Sequence, residues 1–136
     1  MTTTDQATDQ ATDQAIQQAG ADKAPRVTPA DIEANIASEW YFTGEQGALM
    51  GMPRETFRNM QTLGMMPGDI PVSLSQLTFC VLVLRNGFTV TGESACASPE
   101  NFNAEIGRRI ARENAVQKMW PLLGYALRDR LASEAK

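Results

Sequence analysis

Apolar residues crowd into the second half of the chain, and their spacing changes there from the period of a strand to that of a helix. From Leu77 to Arg85 the run is almost unbroken and rich in β-branched side chains; Asn86-Gly87 interrupts it, and Phe88 to Cys96 follows as a second strand-like run. Two such runs around Asn-Gly predict a β-hairpin closed by a two-residue type I′ turn, because both central residues of that turn need positive φ. The turn would pair Arg85 with Phe88, Val83 with Val90, Val81 with Gly92 and Phe79 with Ser94. Phe79, Val81, Val83, Phe88 and Val90 then form the core face, and Cys80, Leu82, Leu84, Thr89, Thr91 and Glu93 a mixed one. The first strand is apolar on both faces, so a C-terminal helix or another subunit must cover the second.

Helical periodicity frames the hairpin on both sides. Thr28-Pro29-Ala30-Asp31 combines a capping hydroxyl, Pro at the first helical position and an acid in the first turn, which predicts a short helix over 29–38. Trp40-Tyr41-Phe42 reads as a short strand. Residues 44–75 hold many Gly and Pro breakers together with Met50, Met52, Met60, Met65 and Met66. A helix over 53–63 is the one element expected in this adaptable segment, which suits either a loose insertion or a cover over a ligand. Ser98-Pro99-Glu100 repeats the helix-start pattern. From there Phe102, Ile106 and Ile110 form one stripe, and Gly107, Ala111 and Ala115 a neighbouring stripe of small residues suited to close contact with a helix. Pro121 interrupts the ladder after Trp120, giving either two C-terminal helices, the second reaching Ser133, or one sharply kinked helix.

The N-terminal segment has a different character. Thr4-Asp5-Gln6-Ala7 recurs at 8–11 and 12–15, and its only apolar side chain is Ala. Such a segment buries too little to offset its ordering entropy. Residues 1–25 are therefore expected to be a disordered tail, with a helix as the alternative, and 26–136 a single α+β domain: a small antiparallel sheet built on the hairpin, followed by two C-terminal helices.

Composition narrows the chemistry. The chain lacks histidine, which removes His-based triads, His metal sites and His acid–base partners. Cys80 and Cys96 lack the spacing of a zinc site; on the hairpin register they point to opposite faces, so both are expected to be reduced. Net charge is −4, although residues 101–136 hold seven of the twelve Lys and Arg. That balance is too weak for a nucleic-acid footprint but leaves room for a small anion. There is no long apolar stretch and no signal-peptide pattern, so a cytoplasmic protein without a membrane partner is expected. No cofactor is called for.

Arg108, Arg109 and Arg112 fall within about 100° of helical arc. Forks at that spacing can grip a phosphate, and an aromatic such as Phe88 can stack on a base. Equally, Glu105 three and four residues earlier allows an ordinary solvated ion-paired face. Asn101 and Asn103 can bind a ligand or only cap backbone groups. No nucleophile–base pair stands out, and Glu93 and Glu105 are too isolated to make an acid–base pair, so an enzyme is not expected.

From Thr78 to Leu131 the sequence resembles a small-protein family of tailed phages and prophages, the gp forty-nine type. The motifs that carry it are Asn86-Gly87-Phe88-Thr89-Val90, Gly92-Glu93-Ser94-Ala95-Cys96, Ser98-Pro99-Glu100-Asn101-Phe102, Glu105-Ile106-Gly107-Arg108 and Trp120-Pro121-Leu122 with Gly124-Tyr125. Thr28-Pro29-Ala30-Asp31-Ile32-Glu33 also fits, whereas the tail and the Met-rich segment do not. The family is similar to anti-Thoeris sponges, which bind a cyclic ADP-ribose signal without cleaving it, at sites between subunits. The resemblance implies a phage-encoded anti-defence protein of the host cytosol, acting as a homo-oligomer. It would sequester a cyclic ADP-ribose or cyclic oligonucleotide signal, with Phe88, Asn101, Arg108 and Arg112 near the ligand. The alternative is a non-catalytic phage accessory protein that binds a host protein.

Overall fold

A computed structural model describes residues 2–62 and 70–135. In chain order these form α1 (Thr2–Gln18), α2 (Pro29–Ala34), β1 (Ile36–Thr43), α3 (Gly44–Met50), α4 (Arg54–Thr62), a 3₁₀ turn (Val72–Gln76), β2 (Leu77–Leu84), β3 (Thr89–Ala95), a second 3₁₀ turn (Pro99–Asn101) and α5 (Ala104–Glu134). The strands make one antiparallel sheet in the order β1-β2-β3. The fold is α+β, with α5 laid across one sheet face.

The hairpin is present, but its turn and register differ from expectation. Leu84 N–H donates to Phe88 O at 2.8 Å and Gly87 N–H to Leu84 O at 2.9 Å, so the loop holds three residues, Arg85-Asn86-Gly87. Gly87 has φ +88° while no non-glycine residue among the described residues has positive φ, the signature of a type I turn closed by a glycine bulge. Arg85 is unavailable to Phe88 because its N–H donates to Asn35 O at 2.9 Å and its guanidinium Nε donates to Ala34 O. Pairing therefore slips by one residue: Leu82 faces Val90, Cys80 faces Gly92 and Phe79 faces Glu93. A slip of one exchanges the faces. Cys80, Leu82, Leu84 and Val90 are the core, and Phe79, Val81 and Val83 are only half-buried.

α5 covers that core face, so of the two covers expected for the second face the helix is the one found. Gly107, Ala111, Ala115 and Met119 recur every four residues and are all buried, but against the sheet and not against a helix as expected. The approach is close: a methyl on Gly92 would overlap the backbone of Ala111 and Ala115. Phe102 and Ile110 are half-buried and Ile106 is exposed, so that stripe stays outside the buried core. α5 also runs unbroken through Pro121. The single Pro removes one ladder bond, and the packing of Met119, Trp120 and Leu123 on the core holds the helix on either side of it. Ser98 opens only the 3₁₀ turn; the cap of α5 is Asn103, whose Oδ1 accepts from Ile106 N–H at 3.1 Å.

α2 has the expected start. Thr28 Oγ1 accepts from Asp31 N–H at 3.2 Å and Asp31 Oδ2 accepts from Thr28 N–H at 2.9 Å. It ends at Ala34, four residues short of the expected end, because Ile36 already belongs to β1. α4 matches the expected helix, and α3 is additional. Met65 and Met66, with Gly64, Pro67 and Gly68, lie outside the described residues. The segment expected as a disordered tail carries a helix, α1, supported by its Ala and Gln content and by a Gln17–Asp13 side-chain bond of 3.1 Å. It meets the body through Arg26, paired with Asp13 at 2.6 Å.

Cys80 is buried and Cys96 half-buried, both as free thiols. The reason differs from the expected opposite faces. Cys80 sits opposite Gly92, and Cys96 is four residues further along, roughly 13 Å at strand rise, too far for a disulfide.

Candidate functional site

Strand alternation places Glu39 and Tyr41 on the same face as Cys80 and Leu82, since Tyr41 pairs with Cys80 and Glu39 with Leu82. α2 brings Glu33 to the same edge, and α5 delivers Arg112 between them. Its guanidinium donates to Glu33 Oε1 and Oε2 at 3.1 and 2.8 Å, and to Glu39 Oε1 and Oε2 at 2.8 and 3.3 Å. Tyr41 O–H donates to Glu39 Oε1 at 2.7 Å. One arginine thus ties α2, β1 and α5 together, with only 16% of its side chain exposed.

The titrations follow from this geometry. Hydrogen bonding to Arg112 holds the Glu39 carboxyl below its ordinary value against the opposing effect of burial. The same carboxylates, Glu33 foremost, push the Arg112 guanidinium up. Tyr41 is raised by burial first and then by its bond to Glu39, and the Cys80 thiol beside it is raised mainly by burial.

Next to this cluster is a cavity of about 750 Å³, bounded by α1, α2, β1 and α5. Tyr41 from β1 lines it together with Arg108, Arg109, Arg112, Glu113, Val116 and Trp120 from α5. Glu113 is buried. Arg109 is held by Glu105 at 2.9 Å, the helix pair expected from the sequence. A second groove of about 650 Å³ lies toward the C-terminal half of α5 and the hairpin tip, lined by Arg26, Asn35, Phe88, Leu123, Leu127 and Arg130 among others. Among the described residues no group of His, Cys, Asp and Glu is placed to hold a metal ion, and no helix is long and apolar enough to cross a membrane.

The four residues singled out from the sequence are not gathered in one place. Arg108 and Arg112 border the first cavity, Phe88 the second groove, and Asn101 neither. Arg112 has its donors engaged by two carboxylates, whereas Arg108 is exposed. Asn101 sits in the turn before α5, and it is Asn103 that caps the helix. Sequence reasoning missed Glu33, Tyr41, Glu113 and Trp120 at the cavity and Glu39 in the clamp beside it. The i, i+2 spacing of Glu39 and Tyr41 was a legible sign that both share one strand face.

These features define a small α+β protein with one helix-covered sheet and a cavity beside an arginine–carboxylate clamp. Residues 27–131 match the model of the Phage protein (N4 Gp49/phage Sf6 gene 66) family, and the chain belongs to that family. No curated protein and no solved structure matches it.

Proposed function

We propose that this phage protein acts by binding without catalysis, capturing a nucleotide-derived signal of the cyclic ADP-ribose or cyclic oligonucleotide type in the cavity beneath Arg108. The observation that carries the reading is the pairing of chemistries there. Aromatic side chains of Tyr41 and Trp120 line the same cavity as Arg108, Arg109 and Arg112, in a volume within the usual range for small-molecule sites of about 300–1,000 Å³. Arg108 is the phosphate contact in this reading, because Arg112 is spent on Glu33 and Glu39 and Arg109 on Glu105. Trp120 and Tyr41 take the stacking role assigned from the sequence to Phe88. Clamped carboxylates and a phenol held neutral supply shape and polarity, and none is positioned as a nucleophile.

The test is calorimetric titration of wild type and Arg108→Ala with cyclic ADP-ribose isomers and cyclic dinucleotides. A charge-assisted phosphate contact is worth about 1.5–3 kcal/mol, so the variant should bind at least tenfold more weakly at unchanged thermal stability. Ligand should be recovered intact after denaturation; cleaved ligand would make the protein an enzyme. Absence of binding across the panel would favour the host-protein reading. The apolar residues at the second groove support that alternative, where Phe88 is 53% and nearby Leu122 37% exposed.

A further inference from the structure

α1 borders the cavity, yet it precedes the segment that matches the family, which begins at residue 27. Its contact with the body is unusual for a surface helix. From Thr8 to Gln18 the half-buried side chains are Asp9, Asp13 and Ile16, and all others are exposed. Their i, i+4, i+7 spacing puts the three on one face, where a surface helix ordinarily carries an apolar stripe. α1 docks instead with two carboxylates and one apolar side chain. Asp13 pairs with Arg26 at 2.6 Å, the two side chains 21% and 20% exposed, and Asp9 lines the same cavity as Arg108 and Arg109.

Composition makes that docking decisive for the helix itself. Thr and Asp, both weak helix formers, fill eight of its 17 positions, and short helices are marginal in water without tertiary support. Gly20, at φ +71°, turns the chain out of α1, and residues 19–28 then reach α2 without helix or strand. On the reading that the cavity takes an anionic ligand, we infer that α1 is a displaceable acidic lid, ordered while it closes the cavity and released when phosphate groups occupy the arginines beneath it.

Release gives up little apolar burial, because Ile16 is the one apolar side chain from Thr8 to Gln18 that is not exposed. It also withdraws the Asp9 carboxylate from the cavity. The ligand that opens the lid must bring more negative charge than that one carboxylate, which selects a di- or polyphosphate over a simple carboxylate. Since binding requires the open form, the apparent affinity is lowered by the fraction of open chains. The released segment is the flexible tail that its composition favours.

Hydrogen–deuterium exchange of the full chain, with inorganic pyrophosphate as the probe, tests the lid directly. Pyrophosphate should speed exchange in α1 and leave the buried strand β2 unchanged, whereas sodium chloride at equal ionic strength should have a smaller effect. Arg26→Gln and Asp13→Asn each remove the latch, a partly exposed ion pair, and should raise the open population and tighten pyrophosphate binding by roughly twofold to fivefold. The first variant makes the chain more negative and the second less so. A general charge effect would therefore move anion affinity in opposite directions, and the lid moves it in one. The melting temperature of the body should not fall in either variant. Exchange in α1 that ignores pyrophosphate would overturn the inference, as would latch variants that bind pyrophosphate no more tightly than wild type. If pyrophosphate releases α1 while no cyclic nucleotide binds, the lid stands and the signal-capture reading falls; if cyclic nucleotides bind while α1 stays protected, the lid falls and that reading stands.

Discussion

Gly92 offers the sharpest test of how α5 is seated. Placed on β3 opposite Cys80, it lies where the helix backbone crosses the sheet, and an added methyl would overlap Ala111 O and Ala115 N and come within 2.9 Å of Asn114 C. These are backbone atoms, so no side chain can swing aside. The helix must lift by roughly 1 Å, and a gap of that size forfeits a quarter to a half of each lost contact along the buried Ala111, Ala115 and Met119 seam. Overpacking of this kind costs about 1–3 kcal/mol, and the upper end applies where backbone must move. Relief of the glycine's entropy in the strand returns about 0.5–1 kcal/mol. Gly92→Ala should therefore be destabilised by about 2 kcal/mol, a fall of roughly 7–9 °C in melting temperature for a domain of this size. Gly124→Ala is the internal contrast. It lies inside α5 with nothing within 4 Å of the added carbon, so it should gain about 0.5–1 kcal/mol from helix propensity. Urea unfolding followed by circular dichroism reads both. A Gly92→Ala midpoint equal to or above wild type would refute the close helix–sheet contact.

The clamp yields two predictions with opposite pH signs. Glu39 has a depressed folded value, so its contribution is present above about 4.5, its ordinary value, and is lost as pH falls through the lower folded value. Arg112→Met should abolish that acid-side dependence and cost about 1–2 kcal/mol at neutral pH, less than a fully buried pair because Glu33 and Glu39 are partly solvated. An unchanged acid limb in urea titrations would contradict the bonding assigned to Glu39. Tyr41 and Cys80 have raised folded values, so their contributions are present below the ordinary values of 10.0 and 9.0 and are lost as pH rises through the folded ones. Tyr41→Phe should flatten the loss of stability above pH 10, measured by thermal melts; an alkaline limb identical to wild type would count against the buried phenol.

Local signals carried most of the elements. The Thr28 capping box, the Pro at the start of α2 and the hairpin runs all reported themselves, because each depends on residues within a few positions of one another. A second capping box was equally local and was overlooked. Thr43 and Gln46 bond reciprocally at 3.1 and 2.9 Å and begin α3 in a stretch whose many glycines suggested a loop. Pro121 misled for the opposite reason: its cost is local, but what overrides it is the packing of Met119, Trp120 and Leu123 against the core. The site was scarcely legible. Its principal contacts join residues 73 and 79 positions apart, Arg112 with Glu39 and with Glu33, and no periodicity within one element foretells a partner on another.

A single backbone bond goes with the register that places the cavity and the outer sheet face. Asn86-Gly87 permits either a two-residue or a three-residue turn, and local chemistry leans to the first. The choice falls to the second because Asn35, at the junction of α2 and β1, takes the Arg85 N–H. With Arg85 committed there, Cys80, Leu82 and Leu84 turn toward α5 and the aromatic and β-branched set turns outward. Since β1 pairs with β2, its alternation is set in the same stroke: Glu39 and Tyr41 come under Arg112, and Trp40 and Phe42 go to the open side. Had the two-residue turn formed against the same β1, the clamp carboxylate would face away from β2's core side chains and Trp40 would lie beneath the helix, where the small-residue seam leaves no room for an indole. The cavity beside the clamp and the apolar outer face are thus two consequences of one register. The burial of Ala111 and Ala115 over Gly92 agrees with the same register, since only a glycine fits beneath that seam.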